Sequence, residues 1–271
     1  MIVSLLVFSG GVRAFDFTTG CAEGLGETVL LSRSSASEFL VVPCGSITSG
    51  EGKVEAGFRR MYEMKELDDL FFAAAYRSGK FTLGLGLTQF GDPDLYTEKT
   101  GRLMLACHLG RWTTGLFLSG MLVQFGQYYE GLSASTLGGG LSYRTERIIG
   151  AVTCDNMTSP CFDENSPRLN PKYSIWTELI GPGPYSLTGR VILEKTEKPR
   201  FALGQKIDLS TRASFFWGIV TAPIKYGGGL QLNLDRYAII CTTSYHPELG
   251  LTPGLALSVN FGSISKTVRK E

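Results

Sequence analysis

The chain has no apolar run near the roughly 20 residues that a membrane-spanning helix requires, and it has little of what most site chemistry uses. Only two of its 271 residues are histidines, His108 and His246, far apart and away from other ligand-type side chains, so neither a metal centre nor a cofactor is expected. Neither sign of charge is in excess. A net charge of +1 leaves no electrostatic footprint for nucleic acid. There are six cysteines. Cys154 and Cys161 bracket a loop and form a possible disulfide, as do Cys21 and Cys44 nearer the start; the other reading is a set of isolated small apolar residues. The length fits one barrel or one large domain, with nothing left for a second.

What the chain does have is glycine and a period of two. Its 34 glycines fall inside alternating stretches as well as at turns, which suits a curved sheet. In 185–195, Tyr185, Leu187, Val191 and Leu193 alternate with Ser186, Thr188, Arg190, Ile192 and Glu194. The same alternation returns in 200–209, 225–235 and 251–261, the last with Leu251, Leu255, Leu257, Val259 and Phe261 on one side. One wet and one greasy face per segment is the mark of strands.

Taken in order, residues 1–14 read as a signal peptide, apolar from Ile2 to Phe8 and ending in Val12-Arg13-Ala14. Residues 15–51 form an irregular, glycine-rich leader that would lie against or inside a barrel mouth. Residues 52–262 read as about fourteen strands, the first from Lys53 to Met64, and 263–271 as a tail. Short turns at Ser78, Gly110, Thr145, Gly181, Leu209 and Asp235 fall on one side. Longer loops at Gly91, Gly126 and Met157 fall on the other, the asymmetry of an outer-membrane barrel. Tyr, Trp and Phe gather near strand ends, where interfacial girdles sit. The expected fold is therefore all-β, a transmembrane antiparallel up-and-down barrel in a bacterial outer membrane.

In such a barrel, a Lys or Arg facing lipid at mid-membrane costs about 2–4 kcal/mol. The charged phase must then face the lumen or lie at strand ends. Arg190, Glu194, Arg200, Lys206, Asp208, Arg212, Lys225 and Gln231 are the candidate lumen-lining residues, either as a solute path or as an ion-pair ladder. Two other classes compete with transport. A lipid hydrolase or acyltransferase would need a nucleophile with a base in reach, and His246-Pro247-Glu248 beside Ser244 is the nearest set, although neighbours on an extended chain point opposite ways. A soluble β-sandwich or adhesin would share the alternation.

Four segments carry a family resemblance: Arg59-Arg60-Met61-Tyr62-Glu63-Met64 with Glu66-Leu67; Ala75-Tyr76-Arg77-Ser78-Gly79-Lys80-Phe81 running into Gly84-Leu85-Gly86-Leu87; Phe90-Gly91 with Tyr96-Thr97-Glu98; and His246-Pro247-Glu248-Leu249-Gly250-Leu251-Thr252. Together they resemble the PorV/PorQ-like outer-membrane proteins, relatives of the FadL fatty-acid-transporter barrels. In Val41-Val42-Pro43-Cys44-Gly45, the Pro and Gly of that family's leader motif are kept. The resemblance implies a fourteen-stranded barrel with its leader near or in the lumen. It also implies a role in type IX secretion or in uptake of hydrophobic molecules, with outer-membrane lipids, secretion components or small apolar solutes as partners.

Overall fold

The computed structural model describes residues 19–47, 50–126, 131–163 and 168–262. The expected signal peptide and C-terminal tail lie outside them. Among the described residues, fourteen strands form one closed antiparallel barrel. The first seven are β1 (Glu51–Arg60), β2 (Asp68–Ser78), β3 (Phe81–Asp92), β4 (Tyr96–Leu109), β5 (Trp112–Gln124), β6 (Leu132–Arg144) and β7 (Ile148–Asp155). The rest are β8 (Lys172–Ile180), β9 (Tyr185–Glu194), β10 (Arg200–Asp208), β11 (Ala213–Val220), β12 (Lys225–Leu234), β13 (Tyr237–His246) and β14 (Gly250–Gly262). Each strand pairs with its sequence neighbour, and β1 closes on β14 from Glu51↔Gly262 to Arg59↔Gly254.

Alternation does what the sequence demands of it. Along β9, Tyr185, Leu187 and Leu193 are exposed while Thr188, Arg190 and Ile192 are buried. The outer wall is apolar all round, with Leu83 61% and Leu116 65% exposed. Water does not tolerate a contiguous apolar surface of this extent, whereas a bilayer covers it. The β-sandwich alternative fails, because among the described residues no second sheet packs on these faces and the sheet closes on itself.

Three turns on the short side have two residues, and each opens on a left-handed residue: Gly79 (φ 56°), Gly110 (φ 64°) and Asp235 (φ 52°). Positive φ at this position gives primed turns, whose twist matches that of the flanking strands. On the opposite side, β1 stops at Arg60, short of the expected Met64. Tyr62 and Glu63 adopt positive φ (55° and 60°), and two 3-10 turns, Met61–Glu63 and Lys65–Leu67, replace the strand end.

Residues 19–47 contain one short helix, α1 (Ala36–Val41). Ser35 caps it, accepting from Glu38 N while the Glu38 carboxylate accepts from Ser35 N. The apolar side chains of this segment meet the inward-facing wall in three clusters. Ala36, Phe39, Leu40 and Ile47 pack on Ala73, Ala75, Met104, Ala106 and Phe117. Cys21, Leu25 and Leu30 pack on Phe71, Phe216, Ile240 and Ala256. Val29, Leu31, Val42 and Cys44 pack on Ile149, Ala151 and Trp176. The contacts reach strands from every quarter of the barrel.

Candidate functional site: leader and lumen

An irregular, mostly buried segment of about thirty residues has many backbone groups that neither helix nor sheet satisfies, and each one left unpaired costs about 1–3 kcal/mol. The wall supplies the missing partners. Two buried strand carboxylates accept from backbone N–H groups. Glu178 takes Leu31 N and Ser32 N, both at 2.7 Å, and the Ser32 hydroxyl at 2.6 Å. Glu55 takes Gly20 N at 3.2 Å and Ser37 N at 3.3 Å. Wall cations donate to carbonyls in turn: Lys53 to Ser34 O (3.0 Å), Arg77 to Ile47 O (2.7 Å), Arg102 to Leu40 O (2.8 Å) and Arg190 to Glu27 O (3.2 Å). Thr188 and Ser142 hydroxyls donate to Val29 O and Cys44 O. Arg102 and Arg190 also stack 4.1 Å over the Phe117 and Trp176 rings, so each guanidinium is held on two sides.

Glycine makes room for this packing. A Cβ at Gly115 would collide with Pro43 O, one at Gly204 or Gly218 with Leu25 backbone, and one at Gly227 with Glu23 O. These wall glycines are where leader backbone runs directly against strand backbone, a close approach that no other residue permits. Curvature alone does not explain them.

The candidate lumen residues divide by position. Arg190 and Lys225 are both buried and both meet Glu27, Arg190 at the backbone carbonyl and Lys225 at the carboxylate at 3.5 Å. Arg200 and Glu194 pair at 3.1 Å near the long-loop end. Lys206 donates to Gln231 at 2.7 Å, and Asp208 accepts from Ser214 at 2.8 Å and from Arg33 at 3.4 Å. Arg212 lies in the turn after β10, exposed. Alternation did not single out Glu55, Glu178, Lys53 or Arg102. All four nevertheless occupy the inward phase of their strands, which was the available signal.

Lys206, Asp208 and Gln231 border a cavity of about 930 Å³ between the leader and the short-turn half of the wall. Its lining is two-natured. Cys21, Leu25, Leu30, Phe216 and Ile240 form an apolar part, and Arg33, Lys53, Lys206, Glu38 and Asp208 bring charge of both signs. On the leader, burial pushes the Glu38 carboxyl up to about 7 despite hydrogen bonds from Ser35 and Leu30. Burial likewise pushes the Cys21 and Cys44 thiols up, Cys44 to about 12.

In this structure Cys154, Cys161, Cys21 and Cys44, the candidates for disulfides, are free thiols. His246 Nδ1 accepts from Glu248 N and Leu249 N, the work of a turn-capping side chain that leaves this nitrogen no capacity as a base. His108 bonds to Thr82 and Thr113 hydroxyls. No cluster of metal-ligand residues occurs among the described residues. The first and fourth resemblance segments meet in space. Tyr62 N donates to Thr252 Oγ1 at 3.1 Å, and the Tyr62 ring stands edge-on to His246 with centroids 6.1 Å apart.

No family model matches the chain, and no curated protein does. Solved structures match over almost its full length. The CymD monoaromatic hydrocarbon channel superposes with a TM-score of 0.66 at 9% identity, covering 90% of this chain and 97% of that one. The Pseudomonas putida toluene transporter TodX gives 0.63 at 7%, covering 89% and 97%. The outer membrane protein Omp33 of Acinetobacter baumannii gives 0.53 at 8%, covering 79% and 100%. Identities this low speak to architecture alone: the chain has a closed fourteen-stranded antiparallel barrel fold, like that of hydrocarbon channels.

Proposed function

We propose that the chain is a non-enzymatic bacterial outer-membrane barrel that passes hydrophobic small molecules and is closed in this state by its own leader. One observation carries the reading. Residues 19–47 pack on inward-facing strand residues that accept from and donate to their backbone, and a cavity lined by both apolar and charged groups lies beside them. Mixed linings of this kind bind a small apolar body while fixing one polar point. In this reading Lys206, Asp208 and Gln231 belong to the solute path. Arg190 and Lys225 hold the leader, and Arg200 with Glu194 braces the long-loop end. The names of the superposing channels, one for monoaromatic hydrocarbons and one for toluene, support an apolar solute. The type IX role implied by the PorV likeness rests on the four sequence segments alone.

The test is reconstitution in planar bilayers and vesicles. The unaltered chain is expected to give little steady ion conductance and to speed toluene entry relative to empty vesicles. Gly218→Val, which places a side chain on the Leu25 backbone, is expected to raise conductance while the barrel keeps its heat-modifiable gel mobility. Gly150→Ala meets nothing within 4 Å and serves as the silent control. A large constitutive conductance from the unaltered chain, or toluene entry no faster than in empty vesicles, would sink the proposal.

A further inference from the structure

The short-turn rim carries a repeated pattern that turn geometry does not require. Each of the three two-residue turns runs left-handed residue, cation, aromatic: Gly79-Lys80-Phe81, Gly110-Arg111-Trp112 and Asp235-Arg236-Tyr237. Only the first position needs positive φ, so the cation in the second has no conformational reason to be there. Tyr143-Arg144 adds the same pair at the turn between β6 and β7, and Arg147 and Arg212 complete a rim of six exposed cations against two exposed acids, Glu146 and Asp235, with Glu51 and Asp208 half-buried at the same end.

Their state separates them from the cations at the other end. Arg200 and Lys225 also precede aromatics, Phe201 and Tyr226, but both are buried in ion pairs with Glu194 and Glu27. Among the described residues, no ion pair engages Lys80, Arg111, Arg144, Arg147, Arg212 or Arg236. The neighbouring rings face outward. Phe81, Trp112, Tyr143 and Tyr237 are exposed, and Trp112 and Tyr143 stack at 4.7 Å across β5 and β6. Aromatics at a strand end mark the edge of the hydrocarbon layer. A flexible cation next to each ring then lies at the depth of the lipid phosphates, within reach of a long side chain.

We infer that the short-turn rim is a docking surface for anionic phospholipid headgroups in the membrane leaflet that borders it. This rests on the outer-membrane reading above and goes beyond it, since passage of an apolar solute requires no charge preference in the surrounding lipid. Attraction of several cations to anionic headgroups is short-ranged and screened by salt.

The full-length chain carrying Trp217→Phe leaves Trp112 as the lipid-facing tryptophan, because Trp176 is buried inside the barrel. This protein is reconstituted in phosphatidylcholine vesicles that contain a minor fraction of brominated phosphatidylglycerol or, in parallel, brominated phosphatidylcholine. At low salt, quenching of Trp112 is expected to show about a fivefold preference for phosphatidylglycerol, the factor contributed by one Lys or Arg at such a surface. That preference should vanish in 1 M salt, and also in the combined Lys80→Gln, Arg111→Gln, Arg144→Gln and Arg236→Gln variant. If that variant does not insert, the salt titration of the parent chain decides. Equal quenching by the two lipids, or a preference that neither salt nor the variant moves, overturns the inference and leaves the barrel reading intact. Absence of quenching by either lipid means the chain is not in the bilayer, and both fall.

Discussion

At the scale of single residues, Glu178 does more than any member of the original lumen set. Its one carboxylate, fully buried, accepts three hydrogen bonds from Leu31 and Ser32. Glu178→Ala removes the acceptor from three donors at about 1–3 kcal/mol each, so the hold on the leader weakens by roughly 3 kcal/mol or more. The expected result is a lower unfolding midpoint together with raised bilayer conductance; a lower midpoint with unchanged conductance would show that the bonds stabilise without closing. Glu38 contributes the pH dependence. Its carboxyl is raised by burial to about 7 from an ordinary value of 4.5, so between these values the folded chain holds a proton that the unfolded chain has released. Stability from this group is complete below about pH 4.5 and is lost as pH rises through 7. Melting curves of the refolded barrel from pH 4 to 8 should show that decline, and Glu38→Gln should flatten it.

At the scale of elements, the strands were legible and the leader's contacts were not. A period of two located all fourteen strands because lipid outside and a polar interior impose opposite demands on successive residues. It overran at β1, where the left-handed Tyr62 and Glu63 end the strand with no glycine to announce it. It was silent on docking. Glu55 and Glu178 have the inward phase, but a side chain that satisfies a distant backbone amide leaves no periodic trace in either segment. The leader-facing glycines could not be told from the rest for a related reason. At Gly115 and Gly218 the demand comes from leader backbone far away in sequence, not from local curvature. Thiol chemistry checks the placement without any structural substitution. In intact vesicles, Cys161, exposed in the loop after β7, should react with a water-soluble maleimide. Cys241, exposed on the outer wall, should take only a lipid-soluble one. Cys21 and Cys44, buried with raised thiol pKa, should resist both until the chain unfolds. Ready labelling of Cys44 in the folded barrel would mean that the leader leaves the lumen.

At the scale of the whole molecule, the two ends differ in kind. The long-loop end is braced by buried and half-buried ion pairs: Arg59 with Asp69 and Glu23, Arg200 with Glu194, and Lys225 with Glu27. The short-turn end keeps the open cavity and the unpaired cations. In the proposed transport role, a solute entering from the long-loop side meets a charged barrier and leaves through the end that holds the cavity. Neutralising a vestibule residue (Lys206→Gln) should change toluene transit with little effect on the unfolding midpoint. Glu23→Gln should lower the midpoint, because it removes the carboxylate that sits 2.8 Å from the half-buried Arg59.

The seam between β1 and β14 joins the first strand to the last. Every other pair of neighbouring strands is joined by a hairpin or loop and can zip as the chain is threaded, but this pair must wait for the end of the chain. The leader is continuous with β1 and already has its partners on β2, β4, β6, β8 and β9 by then. If the strands pair in chain order, the stopper is installed before the bottle is sealed, and no later insertion step is needed to place an irregular segment inside a closed cylinder.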